Sequence, residues 1–314
     1  MQAGAPADPI LKMSGQDLTC DLDLSHDEVN YLLDLADAVK AAPRRFASAL
    51  AGRTLSLLFE KPSLRTRLTF ELAIKQLGGD SVFSSGMIGE REPIKDVARN
   101  LERWTNCIVA RTFSQETVME LARWSKIPVI NALSDLYHPC QALADVMTLR
   151  ERFGSLRGLK VAFVGDGNNV AHSLMLSAAR LGADVVVASP PGYAPNPDVV
   201  GQAQGLAAAA GSTVTITTVP EEAVTGANAV YTDVWTSMGS ENEAERRRKA
   251  FCGYQVDEKL FSLAAPGAVF MHCLPAHRGE EVTDAVIESQ QSVVFDQAEN
   301  RLHAQKALLL MMID

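Results

Sequence analysis

The chain reads as an α/β protein: two doubly wound parallel-sheet domains of similar size joined by helices. Three observations predict this. Short apolar runs alternate with helical periodicities along the chain, as expected of strands covered on both faces by crossover helices. The alternation breaks once, at Gly154-Ser155-Leu156-Arg157-Gly158, leaving a series on either side. A length of 314 residues suits about two domains.

The elements follow in order. Ser25-His26-Asp27-Glu28 is a capping box and opens an amphipathic helix to about Ala41. In the first series, strands fall at 54–59, 80–83, 107–110 and 128–131, with helices at 63–77, 94–104 and 114–124. A longer helix covers 138–153, with Pro139 at its first position and His138 as N-cap. In the second series, strands are expected at 160–164, 184–188, 213–217, 229–232 and 269–272. Helices are expected at 169–181, 197–210 and 283–289, and an apolar helix at 299–313 closes the chain. Residues 237–253 are polar, charged and glycine-bounded, and read as a mobile loop.

Composition narrows the functional classes. Hydrophobic residues make up 47% and charged residues 21%, an ordinary globular balance. The net charge of −9 argues against general affinity for nucleic acid or membrane surfaces. No apolar run approaches the ~20 residues that span a bilayer, and the start shows no secretory pattern. The five cysteines, Cys20, Cys107, Cys140, Cys252 and Cys273, are odd in number and form no C-x-x-C. Neither a disulfide framework nor a thiolate zinc site is indicated, so a cytoplasmic location with reduced thiols is expected.

The densest chemistry lies in Phe59-Glu60-Lys61-Pro62-Ser63-Leu64-Arg65-Thr66-Arg67, between a strand and a helix. Ser63 is a good N-cap. The backbone N–H groups of Leu64, Arg65 and Thr66 then form an anion site at the positive end of the helix dipole. Arg65 and Arg67 diverge on a helix, so Arg65 is assigned to the anion and Arg67 to Glu71 at i+4. In His138-Pro139-Cys140-Gln141-Ala142-Leu143-Ala144-Asp145, His138, Gln141 and Asp145 share a helix face, and His138 with Gln141 suits a carbonyl oxygen and an amino group. Gly165-Asp166-Gly167-Asn168-Asn169 resembles a dinucleotide fingerprint without its third glycine, and the next strand ends in Ser189 rather than an acidic ribose ligand. Asp233, after a strand, suits an ammonium group or a loop cap. In His272-Cys273-Leu274-Pro275, Cys273 reads equally as a buried hydrophobe, a nucleophile or a proton acceptor. Arg301, in Ala298-Glu299-Asn300-Arg301, reads as an anion ligand or a surface residue. The run Arg246-Arg247-Arg248-Lys249, after Glu241, Glu243 and Glu245, reads as a solvated helix face.

Taken together and in this order, Ser-x-Arg-Thr-Arg, His-Pro-x-Gln, Gly-Asp-Gly-Asn-Asn, Asp-x-Trp-x-Ser-Met-Gly, His-Cys-Leu-Pro and Glu-Asn-Arg resemble the aspartate/ornithine carbamoyltransferase family, in its ornithine branch. The likeness runs from residue 59 to residue 301. It implies transfer of the carbamoyl group of carbamoyl phosphate to the δ-amine of L-ornithine, giving citrulline and phosphate. It implies a carbamoyl-phosphate-binding domain at 1–137 completed by the helix at 299–314, a linking helix at 138–154, and an ornithine-binding domain at 155–298. Ser63, Leu64, Arg65, Thr66, Arg111, His138, Gln141, Cys273, Leu274 and Arg301 would hold carbamoyl phosphate. Arg65, Arg111, His138 and Cys273 would be catalytic, with Arg65, Thr66, Arg111 and His138 supplying positive potential. Asn169, Asp233, Ser237 and Met238 would bind ornithine. No metal or organic cofactor is implied. The expected assembly is a homotrimer, or a higher assembly of trimers, with a loop from a neighbour completing each site.

Two departures from the family pattern stand out. Leu64 occupies a position where many relatives have threonine, which matters little if the role is played by backbone N–H. In the presumed neighbour loop, Ser84-Ser85-Gly86-Met87-Ile88-Gly89, Met87 cannot donate the hydrogen bond that glutamine or histidine donates in many relatives. Competing readings are a carbamoyltransferase for acetylornithine or putrescine, a nicotinamide-dependent oxidoreductase built on 160–190, and a non-catalytic binding protein that keeps the fold.

Overall fold

A computed structural model of the chain describes residues 10–13, 15–236 and 241–314. They form two compact units, one running to Ala144 and resuming at Asn300–Asp314, the other Asp145–Glu299.

The first unit holds a parallel sheet of β1 (Thr54–Phe59), β2 (Asp80–Ser85), β3 (Cys107–Arg111) and β4 (Val129–Leu133) in the order β2-β1-β3-β4. β3 is buried along its whole length, as a strand covered on both faces must be. The helices are α1 (His26–Ala41), α2 (Leu64–Gln76), α3 (Ile94–Trp104) and α4 (Gln115–Trp124), followed by α5 (Pro139–Phe153). The Ser25 hydroxyl accepts from the Glu28 N–H while the Glu28 carboxylate accepts from the Ser25 N–H, the expected capping box. Strand order reverses between β1 and β3. The carboxyl ends of these strands therefore open a crevice, the usual ligand position of a doubly wound sheet.

The second unit repeats the principle with β5 (Lys160–Val164), β6 (Asp184–Ala188), β7 (Val214–Thr217), β8 (Ala229–Thr232) and β9 (Val269–His272), all parallel, in the order β7-β6-β5-β8-β9. Its switch point lies between β5 and β8. α6 (Asn169–Arg180) and α7 (Pro197–Ala210) match their expected positions, whereas α8 (Pro220–Val224) and α10 (Glu258–Phe261) are too short to show a period in sequence. α9 (Ala244–Ala250) corrects the loop expected over 237–253: its described part is a turn and a helix, with Trp235 stacked on Phe251. α11 (Asp284–Ile287) is shorter than its expected 283–289. α12 (Val294–Met312) begins five residues before the expected 299. Among the described residues, no helix is long and apolar enough to cross a membrane.

Candidate active site

At the switch point of the first unit, β1 delivers the Phe59–Arg67 corner and β3 delivers Arg111 at its last position. The register pairs Phe59 with Arg111, and the Glu60 N–H donates to the Arg111 carbonyl (2.9 Å). Glu60 fixes the loops alongside, its carboxylate accepting from the N–H groups of Ile88 (3.0 Å) and Phe113 (2.7 Å). Ser63 caps α2 by accepting from the Thr66 N–H at 3.2 Å. That bond takes one donor of the expected anion site and leaves the turn at Leu64 and Arg65. Arg67 donates to Glu71 at 2.8 Å and lies over the Phe83 ring, 3.8 Å from its centroid, as the i+4 spacing predicts.

Arg301, ambiguous in sequence, is the hub of this half. Its guanidinium donates to the Thr66 hydroxyl (2.9 Å) and to Gln141 Oε1 (3.0 Å). One buried cation thus joins the α2 corner, the start of α5 and α12. Thr66, Arg111, His138, Gln141 and Arg301 are each no more than 5% exposed, a degree of burial that surface polar residues never reach. Arg65 is half-buried at the rim and hydrogen-bonds no described side chain.

Electrostatics correct one expectation. Burial, then Arg301 and Arg111, hold the His138 imidazole well below its ordinary 6.5. His138 is therefore neutral near pH 7, and it offers an N–H dipole rather than the positive potential expected of it. Burial and Arg111 likewise depress the Lys61 ammonium. Cys140, inside the His-Pro-x-Gln motif, donates to the Asn131 carbonyl, and burial pushes its thiol up to about 12, leaving it an inert hydrophobe.

In the second unit, β5, β8 and β9 deliver Gly165–Asn169, Asp233 and His272–Pro275 to one sheet edge. Asp233 is the centre. Its Oδ2 accepts from Asn168 Nδ2 (2.8 Å), and its Oδ1 accepts from the Cys273 thiol (2.9 Å). The turn places Asn168 beside Asn169 at this sheet edge, as the sequence implies, and Asn168, to which the sequence assigns no role, does two jobs. Its Oδ1 caps α6 by accepting from the Val170 and Ala171 N–H groups, and its amide holds Asp233. Asn169 is the half-buried first residue of α6. Asp166 accepts from Arg247 at 2.7 Å, and Arg247 also donates to the Trp235 carbonyl at 2.9 Å. Arg247 thus departs from the solvated reading of the Arg246–Lys249 run, which holds for the exposed Arg246, Arg248 and Lys249. Ser237 and Met238 lie outside the described residues.

The Gly-x-Gly turn has a packing explanation. A Cβ at Gly167 would meet Pro195 N at 2.1 Å and the Ala194 carbonyl carbon at 2.5 Å, so glycine is required by the chain itself rather than by a pyrophosphate. Asp233, His272 and Cys273 present a carboxylate, an imidazole and a thiol within 4.8 Å of one another, a donor set that suits a soft divalent metal. Both His272 ring nitrogens already have partners, Glu281 and the Leu274 N–H, and Asp233 and Cys273 are hydrogen-bonded to each other.

Comparison with known proteins places the chain among close relatives. Residues 16–151 match the family model described as "Aspartate/ornithine carbamoyltransferase, carbamoyl-P binding domain", and residues 157–312 match "Aspartate/ornithine carbamoyltransferase, Asp/Orn binding domain". The ornithine carbamoyltransferase of Symbiobacterium thermophilum is 54% identical over 306 residues, covering 96% of this chain and 99% of the relative. That of Thermococcus kodakarensis is 48% identical over 312 residues, 97% and 98% of the two chains. The solved structure of ornithine carbamoyltransferase from Pyrococcus furiosus superimposes with a TM-score of 0.94 at 48% identity, covering 97% of this chain and 99% of that one.

Proposed function

The chain belongs to the aspartate/ornithine carbamoyltransferase family, and from that membership we propose that it transfers the carbamoyl group of carbamoyl phosphate to the δ-amine of L-ornithine. The observation that carries the reading furthest is Arg301, which gathers Thr66 and Gln141 beside His138 in one buried polar cluster. A cluster of two arginines, a hydroxyl, an amide and a neutral imidazole suits a phosphate joined to a planar carbamoyl group.

The roles follow from chemistry. Ser63, the turn at Leu64 and Arg65, Thr66 and Arg301 hold the phosphate. Arg111, His138 and Gln141 hold the carbamoyl end, with the carbonyl oxygen accepting from Arg111 and the His138 N–H. Asp233 takes the α-ammonium of ornithine, and Asn169, Ser237 and Met238 complete the set that binds it. Cys273 and Leu274 line the reacting centre. The neutral δ-amine attacks the carbonyl carbon, and a tetrahedral oxyanion forms. The carbon–oxygen bond to phosphate breaks, phosphate leaves with the electron pair, and the proton lost by nitrogen ends on the departing phosphate. Arg65, Arg111 and the His138 dipole stabilise the negative charge as it develops.

The working unit is a homotrimer. Leu64, Leu68 and Leu72 form an exposed stripe on α2 at i, i+4 and i+8, and Val82 is exposed on the edge strand β2. An assembly would cover both features. Colorimetric detection of citrulline with carbamoyl phosphate and ornithine tests the activity, with acetylornithine and putrescine run in parallel. Folded protein that forms no citrulline, or that prefers either other amine, would overturn the reading.

A further inference from the structure

Among the described residues, Leu274 is the only non-glycine with a positive φ, +55°. A leucine in the left-handed region costs about 1–2 kcal/mol and persists only where its surroundings dictate it. The dictating contact is its own backbone: the Leu274 N–H donates to His272 Nδ1 at 2.9 Å. A ring nitrogen accepts a hydrogen bond only when it carries no proton, so the His272 proton sits on Nε2. Nε2 in turn faces Glu281 Oε1 at 3.1 Å, with both side chains fully buried. The same oxygen accepts from the His277 N–H at 2.6 Å, which pins the carboxylate. The backbone of His272 is held as well, its N–H donating to Gln297 Oε1 at 3.0 Å. Gln297 Nε2 is fixed by Asp145 (2.6 Å) and the Tyr231 hydroxyl (3.0 Å).

Between His272 and Leu274 stands Cys273, whose thiol meets Asp233. The conformation of the turn therefore sets where that thiol and the Leu274 carbonyl point. A buried carboxylate beside an imidazole is costly to maintain and gains little stability over apolar packing, so its use here is orientation.

We propose that His272 is a positioning residue for carbamoyl transfer: Glu281 locks it as the Nε2–H tautomer, and its Nδ1 holds Leu274 in the left-handed turn that presents Cys273 and the Leu274 carbonyl. The role rests on the transfer reaction above. It assigns work to His272 and Glu281, to which no contact with substrate is given.

Two pairs of variants separate positioning from space-filling. In His272→Asn the amide oxygen stands where Nδ1 stood and keeps an acceptor for the Leu274 N–H. In His272→Gln the amide reaches the Nε2 position and leaves that N–H without one. Glu281→Gln keeps an acceptor for Nε2–H, and Glu281→Leu removes it. A reacting group displaced by about 1 Å costs on the order of 100-fold in rate. The expected result is that kcat falls by that order in His272→Gln and Glu281→Leu and far less in His272→Asn and Glu281→Gln, with the KM for carbamoyl phosphate changing far less than kcat in every variant. Space-filling would reverse the first pair, since glutamine is closer to histidine in volume, and that order would overturn the proposal. Nitrogen-15 spectra of the wild type give an independent reading even if variants fail to fold. Protonated Nε2 with bare Nδ1 at His272 is required, and the opposite tautomer overturns the lock. The alkylation rate of Cys273, followed by peptide mass spectrometry, should rise in His272→Gln but not in His272→Asn. This readout needs no turnover. If the thiol rates follow that pattern while wild-type protein forms no citrulline, the assigned reaction fails and the lock on the turn stands.

Discussion

Arg65 and Arg67 stand two residues apart in the first turns of α2 and divide their work. Arg67 is spent on Glu71 and the Phe83 ring, whereas Arg65 is aimed at no described side chain. Arg65→Ala should lower kcat/KM by about 3 kcal/mol or more in a protein that melts normally, the cost of removing a charge-assisted contact to a developing anion. Arg67→Ala should cost about 0.5 kcal/mol of stability, the worth of an exposed i,i+4 pair, and leave turnover near wild type. Equal rate losses in the two variants would refute the division. His138 supports a pH prediction. The fold holds its pKa below 6.5, so the folded state binds fewer protons than the unfolded chain. Its contribution to stability is complete above 6.5 and is lost as the pH falls through the depressed value. His138→Asn has no such group. Between about pH 7.5 and about pH 5, wild type should lose more unfolding free energy than His138→Asn. Urea titrations across that range measure it, and parallel losses would contradict the assignment. At this scale the motif residues were legible because caps and paired arginines have local signatures. The position of Arg301 was not, because an arginine within an apolar helix looks the same whether it meets solvent or, as here, Thr66 and Gln141 brought from far along the chain.

The elements show where local pattern suffices and where it fails. β1, β5, β6, β8 and β9, together with α3 and α7, fall at their expected residues, because each is either a continuous apolar run or a period of 3.6 with clear ends. α12 starts before its expected residue because its first turn, with Phe295 and Asp296 exposed and Val294 and Gln297 buried, carries no continuous apolar run although its backbone is already helical. α9 falls within the expected loop although its basic run reads as a helix face; the helix is present, and Arg247 is taken up by Asp166 and the Trp235 carbonyl. Sequence puts Asn168 at the sheet edge with Asn169 but not its two bonds, because a cap that also grips a strand-end carboxylate shows only once β5 and β8 lie side by side. Its two jobs can be separated. Asn168→Ala removes the α6 cap and should cost about 1–2 kcal/mol of stability. Asn168→Asp keeps an oxygen acceptor for the cap but sets a second carboxylate against Asp233. Its loss of stability comes from the carboxylate pair and should shrink as the pH falls and the pair takes up a proton, while the KM for ornithine rises more than the KM for carbamoyl phosphate. A selective rise in the latter would place Asp233 with the other substrate.

At the scale of the whole molecule, each sheet reverses strand order at its own crevice, and each crevice holds different chemistry. The β1/β3 edge gathers cations and a neutral imidazole around a helix N-terminus, as an acyl phosphate requires. The β5/β8 edge gathers a carboxylate, an amide and a thiol, as an amino acid requires. A chain of net charge −9 concentrates its cationic site locally instead of attracting anions over its whole surface. The leucine stripe on α2 belongs to neither crevice. Leu64 is 72% exposed, Leu68 45% and Leu72 44%, on the helix whose first turn is the proposed anion site, next to an edge strand whose Val82 is exposed. Fully burying one leucine is worth about 1.5–3 kcal/mol, so three of them at a repeated interface are enough to bias association. Sedimentation of the wild type should give a particle of three chains. Leu68→Asp and Leu72→Asp alter surface positions, where substitutions change stability by about 0.5 kcal/mol or less. They should leave each chain folded by circular dichroism while shifting the particle toward one chain. Because the stripe continues from the turn that carries Arg65, activity should fall with dissociation and recover at protein concentrations that restore the trimer. An aspartate variant that stays trimeric, or a wild type that sediments as a single chain while fully active, would sink the assembly.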